Sequence, residues 1–531
     1  MNHARIDFIH SRLAEARRQS RDVFGSGAHH FHLGPPLGEA DVAAFEAQHG
    51  VRLPDAYRDF LVHVGNGGAG QDYGLYSLHE AAQEGRVDRP SPLHPNMPDG
   101  VDWRVALHLP EDSDAIYDGF VTLLTQGCTF DVLLIVSGAH QGRIVYVDWN
   151  LTSPPFFSPF PDFLTWYETW LRELLAGYDM NGFGWGLPLL EPDLVNVVRT
   201  AAQDVEVRRA ALSTLLRAPT LDVALLSVLR GALDVEVDAH VATSLLTLLA
   251  KHGVHDVAAT AWTWLPRVQE HDLVRLVEVL RVLDAPNWTR AALDVLKRDE
   301  HADASQRVLF TLQRHDAVTP DVVKVAWTSR HAEVITTGLY VNHEQAHPLP
   351  VPEEFLQHES ERVRRRAVEY ATDADLTPIV PRVLVLLSEE RVAYVRQGWV
   401  LRLGKLKEPV VRGALVRRLG EEPNADVRSA LLRVMEQGRY REAVYALIAL
   451  THDEDGVLRL EAARALGKLG HPAAIPALQA LLTQHERPMR AFDGETLGAS
   501  GYGITIANVA HDALHAIEHA SRERRGEAGS S

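Results

Sequence analysis

The stretch LPDAYRDFLVHVGNGGAG, residues 53–70, decides how the N-terminal part of this chain is interpreted. Pro54 suits the first position of a helix, because the N–H that proline lacks would have no partner there. The apolar side chains that follow recur at helical spacing, at Tyr57, Phe60, Leu61 and Val64. The pattern predicts a helix that stops at Gly65, where glycine adopts the left-handed conformation without steric penalty.

The glycines of this stretch also match G-x-G-x-x-G, the phosphate-binding turn of dinucleotide-binding domains. That turn must follow a strand and open a helix, so that the pyrophosphate meets the N-terminal amides of the helix. Here the order is reversed, because a helix precedes Gly65, Gly67 and Gly70, and residues 71–78 open no helix. The sequence therefore predicts a helix stop and a loop rather than a nucleotide site.

The longer segment 33–78 resembles the opening of a SUKH-superfamily domain, the family of the yeast cell-wall-synthesis regulator and many bacterial immunity proteins. Residues 127–150 and 163–171 resemble later strands and the closing helix of that family, although Thr129 stands where the family usually has glycine. The resemblance implies a mainly structural role for the family-motif residues, which are Leu53, Pro54, Tyr57, Phe60, Gly65, Asn66, Gly67, Gly68, Tyr73 and Gly74.

Strand and helix patterns in the same region agree with an α+β domain. Residues 131–150 read as two strands around the polar turn 137–142, and alternate side chains of the second strand point to opposite faces. Residues 163–174 carry an aromatic stripe at helical spacing, which is typical of a core helix. We expect residues 1–178 to form this domain.

Helical repeats follow. A Val-Arg or Leu-Arg step recurs about every 32 residues, at Arg364, Arg396, Arg428 and Arg459. Arg208 marks an earlier copy, and residues 255–350 are more degenerate. A fixed period of this size indicates stacked units that bury their apolar faces against their neighbours. Residues 460–482 resemble a HEAT repeat of the short bacterial type, which implies an all-α HEAT-like superhelical solenoid.

The boundary between the two parts is predicted at the glycine-rich stretch 176–190, where helical periodicity breaks. The predicted organisation is a SUKH-like domain at 1–178, a linker at 179–189, a solenoid at 190–520 and a polar tail at 521–531. We expect the two parts to fold as separate units.

Composition limits the classes of function. The formal net charge of −18 argues against nonspecific nucleic-acid binding and is compatible with a basic protein partner. Cys128 is the only cysteine, so an internal disulfide and a four-thiolate metal site are impossible; we expect a buried structural thiol. No apolar signal core and no stretch long enough to span a bilayer is present, which predicts a cytoplasmic protein without membrane contact.

Two histidine motifs resemble metal-binding motifs, but the sequence around them does not support a metal site. HEQAH, residues 343–347, matches the zinc-protease motif H-E-x-x-H, which requires a continuous helix. Pro348 follows directly and pushes His347 out of helical geometry. HHFH, residues 29–32, has no matching ligand cluster. We predict no metal, no cofactor and no enzyme activity.

The repeat arginines and a basic segment are the remaining charge features. We expect the repeat arginines to form a structural ladder with nearby acids, such as Asp204 with Arg208 and Asp426 with Arg428. Residues 362–441 hold 17 basic against 10 acidic residues, a difference of +7. Candidate partner-binding residues in this segment are Arg365, Arg366, Trp399, Arg402 and Arg433.

The sequence favours non-catalytic protein recognition, as a toxin-immunity protein or a regulatory scaffold. The resemblance implies this for both parts, since SUKH domains often neutralise a toxin by binding it and HEAT arrays offer extended surfaces. The alternatives are a nucleic-acid-binding HEAT protein that uses the basic segment, such as a HEAT-like glycosylase, and a metallohydrolase based on HEQAH. The identity of the partner and the oligomeric state stay open.

Overall fold

A computed structural model shows two compact units, Met1–Trp288 (unit 1) and Thr289–Ser531 (unit 2). The structure describes residues 3–19, 21–83, 86–151, 153–200, 203–486, 489–492, 495–498 and 505–527. The division falls well beyond the boundary that the sequence predicts at 179–189.

Unit 1 begins with a mixed α and β region. Its helices are α1 (His3–Arg18), α2 (Glu39–His49), α3 (Asp55–His63), α4 (Leu78–Ala81), α5 (Trp103–Ala106) and α6 (Phe163–Ala176). Its strands are β1 (Phe120–Gly127), β2 (Phe130–Ile135), β3 (Ile144–Asp148) and β4 (Phe156–Phe157). The strands form one antiparallel sheet in the order β1-β2-β3-β4, so the predicted hairpin is its centre.

Both faces of this sheet are buried. Ile144 and Tyr146 of β3 point to a core shared with α1, α3 and α6. Val145 and Val147 point to a second core that contains Trp103. The alternation predicted for the second strand is confirmed. Because each face of the sheet packs against a core, the side chains on both faces of β3 are apolar.

Helical pairs complete unit 1 directly after the mixed region. They are α7 (Glu191–Arg199), α8 (Val205–Arg217), α9 (Val223–Asp234), α10 (Ala239–Lys251), α11 (Ala258–Trp264) and α12 (Glu270–Val282). Helices α8, α10 and α12 pack side by side.

Residues 179–189 pack against the elements on both sides of them. Phe183 is fully buried in the core around α6. Ser158 donates a hydrogen bond to the carbonyl of Gly184, and Thr214 of α8 donates one to the carbonyl of Leu187. The prediction of a linker here is therefore corrected, because Phe183 fills space in the core and the backbone is hydrogen-bonded to elements on both sides. Separate folding of 1–178 stays a prediction.

Unit 2 is built from helices of the predicted repeats. They are α13 (Trp288–Arg298), which begins at the division, α14 (Ala302–Arg314), α15 (Pro320–Trp327), α16 (Ala332–His343), α17 (Glu361–Tyr370), α18 (Asp373–Leu376), α19 (Val380–Glu389), α20 (Ala393–Leu403), α21 (Pro409–Glu421), α22 (Ala425–Gln437), α23 (Val444–Leu450), α24 (Gly456–Leu469), α25 (Ile475–Leu481) and α26 (Ile506–Glu527).

One layer of unit 2 consists of α16, α17, α20, α22, α24 and α26, each packed on the next. A short hairpin, β5 (Met489–Phe492) and β6 (Glu495–Gly498), interrupts the stretch predicted to be purely helical. Helix α26 continues into the predicted polar tail as far as Glu527, and residues 528–531 lie outside the described residues. Within the described ranges, no helix has both the length and the apolar composition needed to cross a bilayer.

Candidate recognition sites

The glycine loop after α3 is a structural turn. Helix α3 ends at His63 with Val64 as its C-cap, so Gly65 follows the end of the helix as predicted, but Gly65 has no positive φ. The left-handed residues are Gly67 (φ 78°) and Gly68 (φ 94°), so the prediction for Gly65 was wrong. Gly65 is required by close packing instead, because a Cβ there would lie 2.8 Å from the carbonyl oxygen of Gly34.

Several polar groups of this loop already form hydrogen bonds within the protein. Gly68 and Leu75 exchange hydrogen bonds of 2.8 and 2.7 Å, and Ala69 donates to the carbonyl of His32. The side-chain oxygen of Asn66 accepts a hydrogen bond from the amide of Leu78. A phosphate cradle needs free amides that point at the ligand. The amides of Gly68 and Ala69 are therefore not available to a nucleotide.

Replacing Gly68 with alanine is expected to destabilise unit 1 by more than the usual strain of about 1–3 kcal/mol for a forced left-handed residue. The new Cβ would also lie 2.3 Å from the carbonyl oxygen of His32. Gly27→Ala is the matched control, because a Cβ there meets nothing within 4 Å. Thermal melting of the full chain measures both. An equal effect of the two variants, or a rise in melting temperature with millimolar ATP or NAD, would contradict this interpretation.

The apolar family-motif residues lie in the core of the mixed region. Leu53, Tyr57 and Phe60 are buried, and the rings of Tyr57 and Phe60 each pack edge-on against Phe163 at 5.0 Å. Pro54 precedes α3 as its N-cap. Tyr73 differs, because 44% of it is exposed.

Two of the candidate partner-binding residues are internal. Trp399 is fully buried, and Arg402 is 7% exposed. Arg402 donates to the carbonyl of Ala371 (2.5 Å) and to the carboxylate of Asp373 (2.7 Å), which ties α20 to the preceding repeat. The prediction that Trp399 and Arg402 contact a partner is therefore corrected, since they fill core positions.

The other three candidates lie at or near the surface. Arg365 lies close against Gly398, where an added Cβ would collide with its guanidinium group. Arg366 is exposed and stands 5.8 Å from the ring centroid of Tyr370. Arg433 is exposed on α22.

The repeat arginines form a ladder of ion pairs, as predicted, but their partners lie further along the chain than expected. Each guanidinium group binds an acid that follows the next helix or helices: Arg208 with Glu236, Arg364 with Glu390, Arg396 with Glu422, Arg428 with Asp453, and Arg459 with Glu486. Asp204, which we expected to pair with Arg208, accepts the amide of Glu206 and caps α8. The ladder thus links successive repeats.

Two acids of the ladder, Glu390 and Glu422, are stabilised in their charged form. Burial alone would raise the pKa of Glu422, but hydrogen bonds from Arg396 and Arg418 outweigh it and lower the pKa below its usual value. The pKa of Glu390 is lowered in the same way, by Arg364 against the effect of burial. These arginines of the basic segment are therefore neutralised within the protein.

The histidine motifs do not assemble a metal site in the described part of the chain. Helix α16 ends at His343, so HEQAH is not on a continuous helix. Asn342 exchanges two hydrogen bonds with the backbone of Leu349, which directs the following loop away from the helix axis. His29 is buried, whereas His30 and His32 are exposed. Among the described residues, no group of three or more His, Cys, Asp or Glu side chains could hold a metal ion.

Cys128 is exposed rather than buried, which corrects the prediction of a buried structural thiol. It lies in the turn between β1 and β2, where Gly127 (φ 96°) and Cys128 (φ 52°) are both left-handed. The turn geometry directs this side chain away from the apolar strands that flank it.

Unit 1 contains a groove that sequence reasoning missed. It has a volume of about 640 Å³ and lies between β4 with the segment after α6 on one side and α8, α10 and α12 on the other. We call it the Trp185 groove. Its apolar lining residues are Phe156, Phe157, Pro159, Trp185, Leu187, Val207 and Leu216, and its charged and histidine lining residues are Glu206, Arg209, His240 and Arg275.

The aromatic wall of the Trp185 groove is pre-formed and open. Trp185 stacks on Phe156 with ring centroids 3.9 Å apart and an interplanar angle of 14°, yet 46% of Trp185 remains exposed. Two of its polar lining residues are paired, Arg209 with Asp238 at 3.1 Å and His240 with Asp272 at 3.1 Å. The groove therefore offers an apolar slot beside a fixed polar network, the arrangement typical of binding sites.

The negative charge of the chain is concentrated in unit 1. Residues 1–288 contain 21 basic and 37 acidic residues, a net charge of −16, whereas residues 289–531 contain 32 and 34, a net charge of −2. Electrostatic attraction at long range would therefore act mainly on partners of unit 1.

The fold thus defines an α+β domain with an antiparallel sheet, followed by stacked α-helical repeats. Residues 36–166 match the SMI1 / KNR4 family (SUKH-1), and residues 349–436 and 414–492 match HEAT repeats. The chain therefore carries a SUKH-1 domain followed by HEAT repeats, which confirms the resemblance and the fold class derived from the sequence. No curated protein is significantly similar to this chain.

Several solved structures are weakly similar. The karyopherin Kap121p bound to the SUMO protease Ulp1p matches over 60% of this chain and 43% of its own, with 12% identity and a TM-score of 0.40. Kap95p in complex with RanGDP matches over 66% and 53%, with 13% identity and a TM-score of 0.37. Human deoxyhypusine hydroxylase matches over 62% and 96%, with 19% identity and a TM-score of 0.22.

The chain spans about half the length of the two karyopherins or less. The HEAT assignment rests on the family match, since these TM-scores lie below 0.5.

Proposed function

We propose that this chain is a non-catalytic protein-recognition module whose Trp185 groove receives an apolar side chain of a basic protein partner. The open stack of Trp185 on Phe156 is the observation that carries the proposal. Exposed aromatic side chains in a pre-formed slot are the usual energetic centre of a protein interface. The net charge of −16 on unit 1 favours a basic partner, because complementary charge accelerates encounter.

The proposed biological role is toxin immunity or regulatory scaffolding in the cytoplasm, with a toxin as the partner in the first case. The SUKH-1 match to residues 36–166 supports this class, since SUKH domains often act by binding. Recognition of this kind requires no cofactor and no metal, and fold alone does not fix which partner is bound.

A nucleic-acid-binding role for the basic segment 362–441 is less well supported. Several of its arginines are held by carboxylates of the protein itself, as Arg364 is by Glu390 and Arg396 by Glu422. Trp399, the aromatic residue among the candidate partner-binding residues of this segment, is fully buried. Nucleic-acid binding needs free cations that can displace counterions from phosphates.

Replacing Trp185 with alanine is expected to weaken partner binding by roughly ten-fold or more, because a central aromatic contact is lost. The partner is first captured from native cells with the full chain, identified by mass spectrometry and purified. Its affinity is then measured by titration calorimetry, and its association rate is expected to fall as salt rises.

Phe130→Ala is the matched control for that experiment, since Phe130 is 47% exposed in the same unit and does not line the groove. Its affinity for the partner should equal that of the wild type. Equal weakening by both variants, or no weakening by Trp185→Ala, would contradict the role of the groove. Covalent alteration of the partner by the purified chain would contradict the non-catalytic role.

A further inference from the structure

Two turns of unit 2 carry the same sequence pattern at the same place in neighbouring repeats. Residues 404–408, GKLKE, follow α20, and residues 438–442, GRYRE, follow α22. In each turn a glycine is followed by an exposed cation, a buried apolar residue, a second exposed cation and a glutamate. The exposed cations are Lys405, Lys407, Arg439 and Arg441, and we call these four residues the basic edge.

The two turns lie next to each other at one edge of the repeats. Arg412, near the start of α21, donates hydrogen bonds to the carbonyls of Gly438 and Arg439 at 3.2 and 3.3 Å. Its guanidinium carbon lies 4.2 Å from the ring centroid of Tyr440, which is buried. Helix α21 begins directly after the first turn, so these contacts bring the first turn beside the second. The ladder joins the starts of α20 and α22, and both helices therefore end at the opposite edge.

The cations of the basic edge differ from the arginines of the ladder because no carboxylate neutralises them. Among the described residues, no acidic group lies within 4.0 Å of the charged nitrogen atoms of these four side chains. Glu442, the glutamate of the second turn, pairs with Arg412 at 3.0 Å instead. Residues 404–412 and 438–442 together hold five basic and two acidic residues, a net charge of +3, so the rest of unit 2 carries −5. The basic edge is therefore a positive patch in a unit whose remainder is negative.

Helix stability explains only half of the basic edge. Lys405 and Arg439 follow the ends of α20 and α22, where the negative end of the helix dipole favours a cation. Lys407 instead lies just before the start of α21, and Arg441 lies in the short turn that leads into α23. At those places the dipole favours acids and disfavours cations. Recognition of an anionic partner supplies a reason for cations there.

Exposed apolar side chains accompany the cations. Val410 is 56% exposed and Tyr445 is 75% exposed. Each is the second residue of the α-helix that follows one of the two turns. An aromatic side chain with free area is a common energetic centre of a protein interface. A ligand of this edge would therefore gain from carrying both acidic and apolar side chains.

We propose that the basic edge binds an acidic segment of a protein partner that also carries an apolar side chain. Charge complementarity argues for this occupant, since the edge is positive whereas the chain as a whole has a net charge of −18. Most of the protein surface repels an acidic segment, so its attraction to this edge fixes where the segment binds.

Nucleic acid fits the basic edge less well. Proteins that bind nucleic acid typically neutralise about six to ten phosphates. The edge offers four free cations with a glutamate in each turn beside them. The negative charge of the rest of the chain also opposes a long polyanion more than a short acidic segment.

This inference concerns unit 2 and is independent of the Trp185 groove, so either can fail without the other. The test measures binding of the full chain to the fluorescein-labelled peptide EEEFFEEE by fluorescence anisotropy, at about 50 mM salt, where surface charges are weakly screened. The peptide should bind, and its affinity should fall as salt rises. Arg439→Gln/Arg441→Gln should weaken binding about five-fold or more, because two surface ion pairs are lost. Tyr445→Ala should weaken binding of EEEFFEEE but not of octaglutamate, which has no apolar side chain.

Arg391→Gln/Arg417→Gln is the matched control, because it removes the same charge from exposed residues at the opposite edge of the repeats. Its affinity for the peptide should equal that of the wild type. Lys405→Gln/Lys407→Gln is the second variant if Arg439→Gln/Arg441→Gln melts at a lower temperature, and it should weaken binding as well. Equal weakening by the control, no binding of EEEFFEEE at low salt, unchanged affinity for EEEFFEEE in Tyr445→Ala, or tighter binding of oligo(dT) that the edge variants abolish would each overturn the proposal.

Discussion

Replacing Glu422 with alanine is expected to destabilise unit 2 by about 3–5 kcal/mol, because it removes the carboxylate that compensates two arginines at a buried site. Glu422 accepts hydrogen bonds from Arg396 at 2.8 and 3.0 Å and from Arg418 at 2.7 and 3.0 Å. It also accepts the amide of Asn424 at 3.0 Å, at the N-cap of α22. One substitution therefore disturbs three helices.

Hydrogen exchange of the full chain measures this loss locally, in peptides from α20 to α22, without assuming that both units unfold together. Glu421→Ala is the control, because the neighbouring Glu421 is exposed, and its effect should stay within about 0.5 kcal/mol. Equal protection in the two variants would contradict the ladder as a source of stability.

The same ladder determines in which direction the stability of unit 2 changes with pH. The pKa values of Glu390 and Glu422 are lowered in the folded state, so their contribution is present above the pKa of an ordinary glutamate. It is lost as pH falls through the lowered values, because the folded carboxylates must then accept protons. A Glu422→Gln variant should therefore lose less stability than the wild type on acidification.

The interval between the arginines of the ladder could be predicted from the sequence, but the acids that pair with them could not. The arginines recur at a nearly constant interval because each fills the same slot of a repeat. Their acids vary in type and lie beyond an intervening helix and loops, as Glu422 and Asp453 show. In the structure these acids also accept a hydrogen bond from the backbone amide two residues further on, that of Asn424 for Glu422 and that of Asp455 for Asp453.

The solvent exposure of residues in the repeats was also predicted wrongly where a residue was considered alone and was not compared with the equivalent position in other repeats. Trp399 and Leu431 follow Arg396 and Arg428 at the same offset, and both are fully buried, so the alignment marks a core position. A glycine-rich composition likewise suggested a linker at 179–189, although Phe183 offered apolar area to bury. The burial of these residues is therefore decided by their neighbours in the folded chain rather than by the composition of the surrounding sequence.

The Trp185 groove could not be predicted, since its walls come from segments far apart in the sequence. Phe156 belongs to the edge strand β4, and Val207 to the first helix of the repeat that Arg208 marks. The periodicity of apolar residues predicts which face of a helix or strand is buried, but it does not predict which distant element packs against that face. The buried face of α3 could be predicted because Tyr57, Phe60 and Leu61 recur at helical spacing within one short segment, whereas the SUKH-1 domain was expected from resemblance to the family.

Replacing Arg217 with methionine is expected to destabilise unit 1 by about 3–5 kcal/mol, because Glu173 would keep a buried charge without its partner. Arg217 of α8 lies 2.7 Å from Glu173 of α6, and both side chains are almost fully buried. The guanidinium group also lies 5.6 Å from the ring centroid of Phe183. This pair thus joins the SUKH-1 domain to the first helical pairs across the predicted linker.

Two further measurements separate lost charge compensation from lost packing. Burial raises the pKa of Glu173, and Arg217 offsets part of that rise. Because the pKa of Glu173 is raised in the folded state, its contribution to stability is most favourable below the ordinary pKa of a glutamate and decreases as pH rises. The Arg217→Met variant should therefore regain stability on acidification. Adding Glu173→Leu should restore most of the stability, since an apolar pair can replace a buried ion pair. A defect that is independent of pH and persists in the double variant would mean that packing of Arg217, not its charge, holds this junction together.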